Sequence, residues 1–153
     1  EIARRREAWW QPYHGQLRAE LDRIKSVHGT AMLWDAHSIR SVLPRFFEGK
    51  LPDQNLGTAD GKSCDPALAQ QLLDIARQAP GHTSVLNGRF KGGYITRNYG
   101  QPEQGFHAVQ LEMTQSSYMQ EHMPFDYLPE VAARIQPTMQ RMLQAMLAFA
   151  QAK

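Results

Sequence analysis

Apolar residues in this sequence follow two rhythms, stripes at three- and four-residue steps and short runs too brief for helices. Trp10, Tyr13, Leu17, Leu21 and Ile24 make the first stripe, predicting a helix over roughly 2–27 that ends near His28-Gly29. Pro12 lies inside it and predicts a kink or a restart, because proline removes a donor and clashes one turn back. Leu68, Leu72, Ile75 and Ala79 make the second, opened by Asp65-Pro66 as N-cap and first helical residue and stopped by Pro80-Gly81. Val131, Ile135, Met139, Leu143, Met146, Leu147 and Ala150 make the third, with a bend or restart predicted at Pro137. Thr30–Asp35, Ser84–Asn87 and His107–Glu112 read as short strands. That order predicts an α/β fold, a three-layer sandwich with helices on both faces of a central mixed or mostly parallel sheet. Residues 36–62 hold Pro44, Gly49, Pro52, Gly57 and Gly61 with no sustained period, and Phe46, Phe47 and Leu51 predict an ordered, packed loop there. Gly88 to Gly105 is glycine-rich and basic, with one helical turn expected around Thr96.

With 153 residues, 42% of them hydrophobic, the chain is long enough for one domain with a real core. Its 17 basic and 15 acidic side chains leave a net charge of +2, which supports neither charge-driven nucleic-acid binding nor an acidic disordered tail. A single cysteine, Cys64, excludes an intrachain disulfide framework and an all-cysteine zinc knuckle. The uncharged run Met142–Ala152 is interrupted by glutamines and is far shorter than the ~20 apolar residues a spanning helix needs. No secretory signal is read in Glu1-Ile2-Ala3-Arg4-Arg5-Arg6, and the first residue is not methionine, so a fragment or processed product is expected. There is no GxGxxG, no phosphate-binding P-loop and no HExxH; Gly88-Arg89-Phe90-Lys91-Gly92-Gly93 lacks the Gly-Lys-Ser/Thr ending.

Chemistry concentrates in three places. Asp35-Ala36-His37-Ser38 directly follows the first predicted strand, where ligands gather in open α/β sheets. His37 is there either a metal-binding imidazole oriented by Asp35 or a histidine that merely caps a strand. Glu112 ends the third strand, and alternation places Ala108, Gln110 and Glu112 on one face, His107, Val109 and Leu111 on the other. A carboxylate emerging there is either a general base with a raised pKa or half of a structural salt bridge to an arginine. Arg89, Lys91 and Arg97 share an acid-free, glycine-interleaved stretch suited to a small di-acid, or else simply solvated. His14, His28, His82 and His122 read as solvated, His107 as a satisfied core or surface histidine, and Arg4 to Arg6 as a solvated helix face.

Four ordered strings go further: Leu33-Trp34-Asp35-Ala36-His37-Ser38-Ile39-Arg40-Ser41, Leu51-Pro52-Asp53-Gln54-Asn55-Leu56-Gly57-Thr58, Gly88-Arg89-Phe90-Lys91-Gly92-Gly93-Tyr94-Ile95-Thr96-Arg97 and His107-Ala108-Val109-Gln110-Leu111-Glu112. Together they resemble the N-formylglutamate amidohydrolase (deformylase) family over essentially the whole chain. The resemblance implies a zinc carboxypeptidase/aspartoacylase-like fold whose N-terminal part is missing, so that residues 1–153 are the C-terminal portion of one amidohydrolase domain. It implies a zinc-dependent hydrolase converting N-formyl-L-glutamate and water to formate and L-glutamate in histidine degradation, with a cytoplasmic location. It implies His37 as a ligand of one zinc ion whose remaining ligands lie upstream, and Glu112 as the general base. Arg40, Arg89 and Arg97 look like substrate-carboxylate or oxyanion partners, Asn55 and Lys91 like further pocket residues. The alternatives are a zinc hydrolase of another N-acyl amino acid and a non-catalytic carboxylate-binding fragment, inactive on its own. Partners expected are a small N-formyl amino di-acid, and an oligomer or the missing N-terminal part; nucleic acid and membrane are not expected.

Overall fold

The computed structural model describes residues 1–152. Helical structure runs from α1 (Ile2–Arg5) through a π-turn (Arg6–Trp10) into α2 (Gln11–His28). The restart predicted at Pro12 takes the form of that π-turn: widening the hydrogen-bond ladder just before proline accommodates a ring that a regular turn would not. Only Leu21 of the predicted stripe is fully buried, while Trp10 and Tyr13 stay exposed. His14, expected to be solvated, instead stacks on Tyr99, its Nδ1 2.7 Å from the tyrosine hydroxyl.

The strands are β1 (Ala31–Ile39), β2 (Gln54–Gly57), β3 (Ser84–Leu86) and β4 (Phe106–Thr114). They form one mixed sheet in the order β1-β4-β2-β3, with β1 parallel to β4, β2 antiparallel to β4 and β3 parallel to β2. Two expectations change here. β1 does not end at Asp35, because parallel pairing with β4 continues to Ile39 opposite Thr114, so His37 lies within the strand rather than past it. β2 falls in the stretch read as loop: it is short and opens with Gln54 and Asn55, and its order comes from two flanking strands rather than from its own apolar pattern.

Helices cover both faces, as a three-layer arrangement requires. α3 (Pro66–Arg77) and α5 (Pro129–Gln151) bury Leu68, Leu72, Ile135, Met142 and Met146 against Leu56, Val109, Leu111 and Met113. Asp65 caps α3 as predicted, its Oδ1 accepting the Ala67 N–H at 2.8 Å. α5 continues through Pro137 as one helix, since Ile135 before it and Met142 after it dock in the same core and outweigh one lost backbone bond. On the opposite face α2 and α4 (Tyr94–Tyr99) pack Leu21 and Tyr99 against Ala31 and Phe106. His107 is a satisfied core histidine: it is buried, its Nδ1 accepts the Asp65 N–H, and its ring meets Phe149 edge-on.

Asp53 knots β2, β3 and β4 together. Its Oδ2 accepts from the Thr83 N–H and hydroxyl at 2.8 and 2.9 Å, and its Oδ1 from the Thr114 hydroxyl at 3.2 Å. Burial pushes its pKa up, but the Thr83 hydrogen bonds, the Lys50 charge and Thr114 together hold it below the usual carboxylate range. A depressed carboxylate contributes stability that is present above its unfolded pKa and is lost as pH falls through the folded one. Asp53→Ala should therefore lose about 2–3 kcal/mol in urea unfolding at neutral pH, with the difference from the parent narrowing in acid. An unchanged midpoint at neutral pH would show that the knot contributes nothing.

Candidate active site

On the α2/α4 face the sheet changes character along the strands. Near their start it carries Ala31, Leu33 and Ala108; further on it carries Asp35, His37, Gln110 and Glu112. His37 and Glu112, far apart in sequence, are register partners on neighbouring parallel strands and share this face. The next strand brings Asn55 opposite Glu112 and Gly57 opposite Gln110.

Glu112 is 7% exposed. Burial raises its pKa; His37 opposes that rise and Asp35 adds to it. Among the described residues no arginine or lysine forms an ion pair with it, which removes the structural salt bridge as its explanation. Gln110 Nε2 donates to Glu112 Oε2 at 3.4 Å. His37 is about half exposed, and its Nε2 lies 3.0 Å from Asp35 Oδ1. That contact fixes the ring and turns Nδ1 away as the free donor or acceptor, the arrangement of a carboxylate-oriented imidazole.

The remaining predicted residues spread around this centre. Asn55 is fully buried; its Nδ2 donates to the carbonyls of Pro52 and Glu112 at 2.7 and 3.1 Å, so it holds the strand beneath Glu112. Arg40 follows β1 and donates from Nη2 to the Glu121 carbonyl. Lys91 and Arg97 line one hollow of about 330 Å³ with Lys62 and Asp60; Lys91 pairs with Asp60 at 3.0 Å, and Arg97 Nη1 donates to the Gly92 carbonyl at 3.0 Å. Arg89 is not with them: it lines a separate hollow with Phe47, Glu48 and Lys50 and donates to the Phe46 carbonyl.

Two residues were not marked from the sequence as site residues. Gln110 had a usable signal, since alternation already put it on the Glu112 face. Glu121 had none. Its carboxylate accepts from the Ser41 N–H and hydroxyl and from the Ser116 N–H, tying the ends of β1 and β4 together from the loop that follows β4.

As a metal centre the described residues are incomplete. They contain no group of three or more histidine, cysteine, aspartate or glutamate side chains placed to hold an ion, whereas a catalytic zinc takes three protein ligands and an open position. His37 with Asp35 fits one ligand of such a set, and no more than that is present. No helix among the described residues is long and apolar enough to cross a membrane.

The chain is similar to known proteins in sequence and in fold. The family model described as N-formylglutamate amidohydrolase matches residues 1–119. The N-formylglutamate deformylase of Pseudomonas putida is 56% identical over 143 residues, covering 94% of this chain and 54% of that protein. The N-formylglutamate deformylase of Pseudomonas aeruginosa PAO1 is 54% identical over 140 residues, covering 92% and 53%. The chain thus spans about half the length of the curated relatives it matches. The crystal structure of N-formylglutamate amidohydrolase from Ralstonia eutropha JMP134 superposes with a TM-score of 0.79 at 23% identity, over 95% of this chain and 55% of that one, and shows a shared fold. On the family model and these two relatives together, the chain belongs to the N-formylglutamate amidohydrolase family.

Proposed function

We propose that this chain carries the general-base side of an amide hydrolase acting on N-formyl-L-glutamate, releasing formate and L-glutamate. One observation carries the reading: a buried carboxylate with a raised pKa stands in register with a carboxylate-oriented histidine on one sheet face. The substrate follows from the names of the curated relatives. In the reaction Glu112 takes a proton from the attacking water as its oxygen bonds to the formyl carbon, then gives that proton to the amine nitrogen as the C–N bond breaks. Arg40 is proposed for the charge that develops on the carbonyl oxygen, and Lys91 and Arg97 for the carboxylates of the glutamate moiety. Arg89, in its own hollow, would serve the substrate only from a distance. Zinc, histidine degradation and a cytoplasmic location belong to the same proposal through the family resemblance. His37 would give the ion one ligand through Nδ1, with the others supplied from outside the residues described, and no step here is routed through it.

A second reading has its own support. With no three-donor metal group among the described residues and a basic hollow at Lys91 and Arg97, the chain alone would bind carboxylates without turnover. A zinc hydrolase of a larger N-acyl amino acid is the remaining variant.

The test is formate release from N-formyl-L-glutamate set beside acetate release from N-acetyl-L-glutamate, in the parent and in His37→Ala, with zinc content and melting temperature on the same samples. The proposal expects formate release to exceed acetate release, and His37→Ala to lose formate release and bound zinc together, melting lower only by what bound zinc had added to the parent. Formate release by His37→Ala at the parent rate would remove His37 from the site. L-glutamate binding by calorimetry with no turnover would favour the second reading.

A further inference from the structure

Gln110 sits between the two halves of the site and touches both. Its Oε1 accepts the Gly93 N–H at 2.9 Å, and its Nε2 donates to Glu112 Oε2 at 3.4 Å. The chemistry leaves one orientation for this amide: a backbone N–H can only donate, so the oxygen must face Gly93, and the NH₂ group then faces the carboxylate. Gln110 is itself buried, so neither end has bulk water as a substitute partner.

Gly93 is no ordinary anchor. It is the N-cap residue of α4, the helix that carries Arg97, and it closes the turn that carries Lys91. The turn is held elsewhere too: the Lys91 carbonyl accepts the Ala59 N–H at 2.6 Å, and the Gly92 carbonyl accepts from Arg97. The first ties the turn to the chain just beyond β2, and the second ties it to its own helix. Gln110 is the side chain that joins it to β4 and to Glu112 in particular.

We propose that Gln110 is a positioning residue that registers the Lys91–Arg97 loop against the Glu112 carboxylate. This rests on the reading of Glu112 as the general base. The two ends of the amide do different work, so two substitutions separate them. Gln110→Glu keeps an acceptor for the Gly93 N–H but sets a second carboxyl against Glu112 in place of the donor. Gln110→Leu keeps neither, and Gln110→Met replaces it where leucine does not fold.

Two readouts are taken on one preparation that releases formate from N-formyl-L-glutamate: hydrogen–deuterium exchange of the peptide spanning 92–97, and kcat with KM. For Gln110→Glu the exchange should stay within about twofold of the parent while kcat falls roughly 10- to 100-fold with little change in KM, as misorientation of a reacting group does. For Gln110→Leu exchange at the turn should rise about tenfold or more, the loss expected of one anchoring hydrogen bond, and KM should rise as well. A merely structural Gln110 would give the two variants the same profile in both readouts, and that result overturns the inference. Glu112→Gln runs in parallel to keep the failures apart. If Glu112→Gln is inactive while both Gln110 variants turn over at the parent rate, the positioning role alone falls. If Glu112→Gln keeps the parent rate, the base assignment falls and the inference with it.

Discussion

Glu112→Gln should lower kcat for formate release by roughly 10²- to 10⁴-fold, the usual worth of a positioned general base, while the protein melts no lower than the parent at neutral pH. The second half of that expectation is the more telling. A carboxyl whose folded pKa lies above its unfolded value binds more protons when folded, so stability falls as pH rises through that window and the penalty persists above it. Glu112 is such a group, raised by burial and by Asp35 and only partly relieved by His37. Glutamine keeps its size and removes the buried charge, so the variant's melting temperature should equal or exceed the parent's at neutral pH. The gain should vanish in acid, where the parent carboxyl is protonated as well. Gln110 can still meet an amide oxygen at that position, which keeps the local hydrogen bond. Thermal scans across pH beside formate assays check both parts. A Glu112→Gln protein that melts far lower, with its folded fraction turning over normally, would show a structural carboxylate and end the catalytic assignment.

That trade between stability and activity bears on what a sequence can disclose. α3 was legible because every local signal agreed: Asp65 caps it, Pro66 starts it, and Leu68 and Leu72 face the core. β4 was legible because strict alternation survives burial, so the Glu112 face was assignable without coordinates. β2 was not, because a strand paired on both sides needs little apolar pattern of its own. Gln54 and Asn55 are both fully buried there, with Asn55 bonded to neighbouring carbonyls. The far half of β1 was hidden for the opposite reason: exposed residues from Ala36 to Ser38 look like a loop until β4 is laid beside them. Sequence spacing says nothing of the His37–Glu112 register either, since that is a property of pairing. Strand-end positions marked both residues and family resemblance gave them roles, whereas one shared glycine-rich stretch grouped Arg89 with Lys91 and Arg97, which the structure separates into two hollows.

Two glycines show the same limit and yield the last expected result. Gly15 in α2 and Gly57 at the end of β2 both have room in backbone angle for alanine, and nothing in their sequence neighbourhoods ranks one above the other. A Cβ on Gly15 meets nothing within 4 Å, so Gly15→Ala should raise the melting temperature, as removing a flexible glycine from a helix gains about 0.5–1 kcal/mol. A Cβ on Gly57 would lie 2.6 Å from both the Gly92 nitrogen and the Lys91 carbonyl carbon, backbone atoms that cannot rotate aside. The turn must lift off the strand, which strains the Ala59–Lys91 and Gln110–Gly93 hydrogen bonds on either side. Gly57→Ala should therefore lose about 1–3 kcal/mol in denaturant unfolding. Because Lys91 and Arg97 ride on that turn, kcat/KM should fall roughly 10²-fold, the consequence of displacing a positioning loop by about an ångström. Most of that fall should appear in KM, since Glu112 and His37 stand on β4 and β1 and stay where they are. Comparable kcat/KM in the two variants would mean that the turn does not hold substrate, and Lys91 and Arg97 would leave the proposed site together.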